Sequence, residues 1–502
     1  MTGPARLPLI GAASALLAFA VLQVWAAVLA GALEYPLDDV YIHLAMAEGI
    51  ARGTYGVNPG EAASASSSAL WPLLIAPFAG TAAQVWLPFL WNLVTVTACG
   101  ALWGRVTGQS VPRGALAVVL AALGPVALNM PGVAFTGMEN GLHTLMALGV
   151  VLGLGRALTG GGIAPWFAAA VILGPLVRLE GIALSLAACL ALLLSGQARA
   201  AVLLALGALA GVAAFATFLV AQGLDPLPGS VLAKVGLAAG GQGALMQNLG
   251  QPQGWLLLAL SALAGGVALA RRGVPGLFLG AFALTGFAHL AFAQVGWMHR
   301  YEHYIVVALV AALLLAGPAL APRLARRMPA LAAVACLAAG AAFLPKLLTW
   351  YILSPRTIHL QQAQMARFAR DFLPLPVAVN DLGHVAFRND AYVLDLWGLG
   401  SAETRALRLS GQTPPGWADP LARQHGVAYA MIYDSWFGTA VGPDWVRMAE
   451  LHLDGPHGPI GDTVVTFYAV DRDMVQPMRT ALDGFAPTLP EGARLVSVEV
   501  FE

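Results

Sequence analysis

The stretch Leu7–Ile50 reads LPLIGAASALLAFAVLQVWAAVLAGALEYPLDDVYIHLAMAEGI. Its first part carries no charge and exceeds the roughly 20 apolar residues that cross a bilayer. Only Arg6 precedes it, and a cleaved signal usually has a shorter apolar core. Leu7–Gly31 is therefore expected to be a retained first span. Glu34, Asp38, Asp39 and Glu48 then arrive within a few residues of one another, so carboxylates crowd the exit of the first span.

The rest of the chain extends this pattern. Of 502 residues, 58% are hydrophobic and only 10% charged, whereas soluble domains carry roughly 25% charged residues. Formal net charge is zero, so no nucleic-acid partner is expected. Cys99, Cys189 and Cys336 all fall in apolar runs without metal or redox spacing. Apolar runs recur at 7–31, 67–104, 114–130, 140–155, 166–177, 179–195, 200–222, 255–270, 274–294, 304–322 and 329–353. The two short runs meeting at Arg178–Gly181 read as a broken pair, and Pro72 and Pro77 interrupt the start of 67–104. The expected fold is an all-α polytopic membrane domain with about 11–13 transmembrane helices over 1–353, with a first outer loop at 32–66.

Charge placement sets the orientation. With the N-terminus inside, the inner loops hold Arg6, Arg105, Arg113, Arg156, Arg199, Arg271, Arg272, Arg323, Arg326 and Arg327, and no acid. Every acid before residue 354 then lies outside, as the positive-inside rule requires. From residue 354 the composition turns polar, with 17 acids and 11 basic residues. Helix-like pieces alternate there with short strand-like ones such as TVVTFYAV. This predicts a soluble extracytoplasmic α/β domain over 354–502.

No phosphate-cradling glycine loop followed by Lys-Ser/Thr, no dinucleotide fingerprint and no His-Glu-x-x-His occurs. From Asp38, a short amphipathic helix is expected on the membrane surface. Asp38 is its N-cap, Val40, Leu44, Ala47 and Ala51 form its apolar stripe, and Glu48 and Arg52 make an i,i+4 pair. Asp39 and His43 share a neighbouring face. A carboxylate at that boundary can take a proton from a hydroxyl, or hold a divalent cation (Mg, Mn or Ca) through oxygen.

LDDVYIHLAMAEGIARGTYGVNPGE, followed by SSSALW, resembles the first outer loop of bacterial GT-C glycosyltransferases, in particular the branch that includes mycobacterial arabinofuranosyltransferases. Similar pieces follow in order: FTGMEN (Phe135–Asn140), RLEG (Arg178–Gly181), DPLPGSVLAKVG (Asp225–Gly236), HRYEHY (His299–Tyr304) and VNDLGHVAFRNDAYVLDLWGLGSAE (Val379–Glu403). The chain departs from the pattern at AASASSSALW, at Gly229 and at Glu302, which leaves the sugar and acceptor open. The resemblance implies a GT-C-like multi-pass protein of the bacterial inner (cytoplasmic) membrane, with its C-terminal domain periplasmic or extracellular. It implies inverting transfer of a hexosyl or pentosyl group from a polyprenyl-phosphate-linked sugar donor to a glycan or lipid acceptor. Asp38 is then the base, with Asp39 as helper or metal ligand.

Arg178, Lys234 and Arg300 are the candidates for the leaving phosphate. For each a plainer role stands beside it: an Arg178–Glu180 ion pair, a solvated or headgroup-facing Lys234, and an interfacial cluster of His299, Arg300, Tyr301, Glu302 and His303. His43, Glu139, Glu180, His299 and Tyr301 are expected to support the site or bind acceptor, although Glu139 also suits a helix N-terminus. Asp381, His384 and Asp395 either face the site or support the fold. A transporter would place its ionisable groups near the bilayer midplane, and a lipid-linked glycan polymerase or ligase would concentrate function in a late loop.

Overall fold

The computed structural model describes residues 6–229, 231–232, 243–320 and 322–498. The helical region contains α1 (Leu7–Ala30), α2 (Asp38–Ala51), α3 (Leu87–Ser110), α4 (Ala115–Ala127), α5 (Met130–Phe135), α6 (Asn140–Leu158), α7 (Pro165–Val177) and α8 (Gly181–Leu194). It continues with α9 (Ala198–Ala221), α10 (Pro252–Ala270), α11 (Val274–Phe292), α12 (His303–Ala316) and α13 (Met328–Thr349). Proline in the first turn opens α1, α3, α7, α10, α11 and α13, where its missing N–H has no intrahelical partner to lose.

Among the described residues, eight helical stretches are long and apolar enough to cross a membrane, and three further apolar helices, containing α7, α8 and α12, are shorter. The eleven expected runs thus divide into full-length and partial ones. α7 and α8 do form a broken pair, separated by Arg178–Glu180. The run 67–104 is not one helix: Trp71–Leu74 makes a single turn, and the long helix begins only near Leu87. Pro77 and Gly80 lie in the intervening irregular segment.

Burial explains why a short helix suffices at the centre. Nearly every residue of α12 is buried, so it packs inside the bundle and does not line its surface. α9, by contrast, exposes Val202, Leu203, Leu206 and Val220, the apolar surface expected of a lipid-facing helix.

From α13 the chain runs on through α14 (Ser354–Leu360) and α15 (Gln362–Arg367) into the extramembranous domain. Its six strands are β1 (Val377–Val379), β2 (Val393–Asp395), β3 (Tyr429–Ile432), β4 (Val446–Leu453), β5 (Val464–Ala469) and β6 (Ala493–Ser497). They form a mixed sheet in the order β2-β1-β3-β5-β4-β6. The β2, β1 and β3 neighbours are parallel and the remainder antiparallel. One face buries Ala378, Leu394 and Ile432 with Trp417 and Phe437. The other joins Val377, Met431 and Phe467 to Leu44 and Met46 of α2 and Leu22 of α1 in one continuous core.

That shared core corrects the reading of α2. The helix does not lie on a membrane surface with a wet face, because Val40 to Gly49 are all buried. It is held between the bundle and the sheet domain. Leu37, not Asp38, occupies the N-cap, and the Asp38 carboxylate instead accepts the backbone N–H groups of Gly383 (2.6 Å) and His384 (2.8 Å). These two residues begin α16 (Gly383–Ala386). The Glu48–Arg52 pair also does not form: Glu48 accepts the Arg388 N–H (3.1 Å), and Arg52 reaches Asp390 (3.6 Å).

Gly383 makes this junction possible. A Cβ built there would sit far inside contact distance of the Asp38 carbonyl oxygen, a backbone atom that cannot swing aside. Gly383→Ala is expected to lose about 1–3 kcal/mol, the usual cost of overpacking. Proteolysis in mild detergent should then cut between Leu353 and Val377 faster than in the wild type. An unchanged cutting rate would show that the junction tolerates a methyl group.

Candidate active site

A cavity of about 570 Å³ lies where α2, the Arg178–Glu180 break, the loop before α12 and the sheet domain converge. Sequence positions far apart meet there because each sits at the same end of the helical bundle. Asp38 and Asp39 begin α2, Arg178 follows α7, Arg300 and Tyr301 precede α12, and Asn380 and Asp381 follow β1.

The carboxylates differ in exposure and in partners. Burial, reinforced by the neighbouring Asp381, pushes the Asp38 carboxyl well above the usual range, although the two N–H donors oppose this. Asp381 accepts hydrogen bonds from Gln362 and Tyr433 (both 2.8 Å), and burial raises it as well. Asp39 is the accessible one, its side chain 39% exposed, and it pairs with Arg300 Nη2 at 2.9 Å. Arg300 also donates through Nε to the Trp297 carbonyl, leaving Nη1 without a hydrogen-bond partner among the described residues.

Arg178 is more fully engaged. Nη1 pairs with Glu139 Oε1 (2.7 Å), and Nη2 and Nε reach the two oxygens of Glu180 (2.8 and 3.3 Å). The ion pair weighed as the plainer alternative is present, with Glu139 as a second partner. Glu139 further accepts from Ser67 Oγ (2.9 Å) and lies 3.6 Å from His43 Nε2. Burial pushes the Glu139 carboxyl up, but the Arg178 guanidinium beside it outweighs this and holds it below the usual range. His43 is kept neutral by its own burial and accepts or donates at Ser66 (3.0 Å). The Tyr301 ring lies beside both guanidinium groups, 5.2 Å from Arg178 and 5.5 Å from Arg300.

Other expected residues fall elsewhere. His299 packs its ring against Phe343 and Tyr351 and does not line this cavity; its backbone, with Trp297 and Met298, is left-handed. His384 points its ring to the far side of α2, stacked on Tyr41 and 3.5 Å from Glu34. Asp395 accepts the N–H groups of Trp397 and Gly400 (2.8 and 2.7 Å) and so shapes the cavity wall. Lys234 lies outside the described residues. As for Asp39 as a metal ligand, its partner is Arg300, and no three His, Cys, Asp or Glu side chains among the described residues are grouped to hold a metal ion.

Sequence reasoning missed the aromatic wall. Trp297, Trp350, Trp397 and Trp436 all line the cavity, and three of them are substantially exposed. They come from separate segments of the chain, so no local pattern announces them. A second, apolar cavity of about 350 Å³ lies between α8 and α11, walled by Ile182, Ala288 and Phe292, and shares Ser67, Arg178, Gln294 and Tyr301 with the first.

Glu302, one of the departures noted above, is buried beside this site. Oε2 accepts the Gly296 N–H (2.8 Å), Oε1 has no partner among the described residues, and burial pushes the carboxyl up to about 7. An acid raised on folding imposes no cost below its unfolded value and an increasing one as pH climbs through the folded value. Stability should therefore fall between about pH 4.5 and 7, by up to about 3 kcal/mol. Glu302→Gln should flatten that slope in thermal unfolding measured across pH. A slope unchanged from the wild type would assign the pH dependence to another group.

A family model described only as a domain of unknown function, DUF8728, matches residues 356–468, most of the sheet domain. No curated protein and no solved structure matches the chain.

Proposed function

We propose that this chain is an integral-membrane glycosyltransferase that moves a sugar from a polyprenyl-phosphate donor to a hydroxyl of an envelope glycan or lipid. The observation that carries this reading is the junction at Arg178 and Tyr301 of a carboxylate-lined, tryptophan-walled cavity with an apolar one. A prenyl chain suits the apolar cavity, its phosphate suits the boundary, and the sugar suits the polar side. A transporter reading lacks this support, because the carboxylates of the helical region cluster at one end of the bundle.

In the proposed reaction the acceptor oxygen attacks the anomeric carbon from the face opposite the phosphate, so the configuration inverts. Its proton passes to Asp38, and the bond from the anomeric carbon to the phosphate oxygen breaks, releasing polyprenyl phosphate. A base with a raised pKa is well matched to this task near neutral pH. The Gly383 and His384 N–H groups orient it, so the sheet domain helps to build the site. Arg300, held by Asp39, has Nη1 to offer the departing phosphate, whereas the charge of Arg178 is already balanced by Glu139 and Glu180. The role proposed for Asp39 is thus to position Arg300.

Mass spectrometry of surface glycans from a deletion strain, complemented with wild type or with Asp38→Asn, tests the reading. Loss of one sugar in the deletion, restored by wild type alone, is expected. Identical glycans in all strains would overturn it.

A further inference from the structure

A cavity of about 380 Å³ opens at the opposite end of the bundle, where α3, α6 and α12 end and α7 and α11 begin. Arg156 in its wall lies about 24 Å along α6 from Asn140, at about 1.5 Å per residue, and Asn140 donates to the Arg300 carbonyl at the candidate active site. The two cavities are therefore separated by most of the length of a membrane-crossing helix.

Its lining is divided by chemistry. Arg105, Gln109, Arg156 and Thr159 form the polar rim, and Leu152, Phe278 and Leu315 form the apolar floor. Arg156 is anchored by its Nε donating to the Gly161 carbonyl (2.8 Å), which leaves both terminal nitrogens for a ligand. Arg105 is exposed and has no carboxylate partner among the described residues. None is near: the acids of the helical region gather at the other end, on Arg178, Arg300, Arg405 and the sheet domain. Trp166, also in the wall, is 45% exposed, as is usual for tryptophan at a membrane–water boundary.

We propose that this cavity binds the headgroup phosphate of an anionic phospholipid. Two guanidinium groups with free terminal nitrogens match a phosphate's oxygens, and basic pockets between membrane helices suit anionic headgroups. The apolar floor directly below receives the start of an acyl chain, which a soluble phosphate would leave empty. The site is independent of the transfer reaction proposed above.

The test is native mass spectrometry of the full-length protein in mild detergent, titrated with phosphatidylglycerol or phosphatidylcholine. Wild type is expected to prefer phosphatidylglycerol. Arg105→Gln with Arg156→Gln should reduce that preference about twenty-five-fold, at about fivefold for each arginine. Both side chains are at the surface, and unchanged thermal unfolding without lipid will show that the variant folds; the single variants serve if it does not. Arg326→Gln, an exposed arginine at the same end outside the cavity, should leave the preference intact. An unchanged preference in the double variant, or an equal loss in Arg326→Gln, would overturn the site. If inorganic phosphate displaces phosphatidylglycerol at equal concentration, the ligand is a soluble phosphate and the lipid assignment fails.

Discussion

Asp38→Asn is expected to reduce release of polyprenyl phosphate from a lipid-linked donor by roughly 10²–10⁴-fold, the usual contribution of a positioned general base. Asparagine has no basic lone pair of comparable strength. It also creates a local conflict, because Asp38 now accepts two N–H groups, from Gly383 and His384. One end of an asparagine amide is itself a donor, so one contact is lost, at about 1–3 kcal/mol for a buried unsatisfied group. Activity and thermal unfolding should therefore be measured together. A stable but inactive variant supports the base assignment, and a stable variant with near-wild-type turnover would sink it. The pH profile adds a check. Burial and Asp381 hold the Asp38 carboxyl above the usual range, so activity should decline with falling pH earlier than for an ordinary aspartate.

Glu139→Gln is expected to be the most destabilising single change among the charged groups of the site. Glu139 is fully buried and takes Arg178 and Ser67 on one oxygen, with His43 near the other. Removing one partner of a buried pair typically costs about 3–5 kcal/mol. Because Glu180 remains on Arg178, the lower part of that range is expected, read as a fall in unfolding temperature in detergent. Glu180→Gln should cost less, since the Glu180 side chain is 25% exposed. Equal losses would show that the buried carboxylate is not the principal anchor. The sign of the acid response follows from Glu139 being held below its ordinary value. Its stabilisation is present above the unfolded pKa and is lost as pH falls through the folded one, so the glutamine variant should lose less stability on acidification.

Much of the architecture was readable in the order of residues. Uncharged runs are visible one residue at a time, since crossing a bilayer demands continuous apolar length. The break at Arg178–Glu180 was likewise visible, because charges interrupt the run locally. The role of α2 was not. Its apolar stripe predicts one buried face, yet the sheet domain, more than 300 residues later in the chain, covers the other. Glu48 and Arg52 have the spacing of a helix pair but find partners at Arg388 and Asp390, because backbone and side-chain groups brought up by the fold compete with i,i+4 neighbours worth only a few tenths of a kcal/mol.

The candidate site divides along the same line. Asp38, Asp39, Arg178 and Arg300 stand out in the sequence because charge next to apolar runs is rare and therefore conspicuous. Which carboxylate faces which arginine depends on where helix ends converge, and the chain order contains no such information. Only the folded protein joins Asp39 to Arg300, gives Arg178 two acids, packs His299 against Phe343 and Tyr351 and assembles four tryptophans from separate segments. The stretch Leu7–Ile50 shows both halves of this. Its apolar run and the acids that end it declare a membrane span and a boundary by composition alone. The task of Asp38 emerges only when Gly383, a residue without a side chain, lets a distant domain approach closely enough to hold the carboxylate.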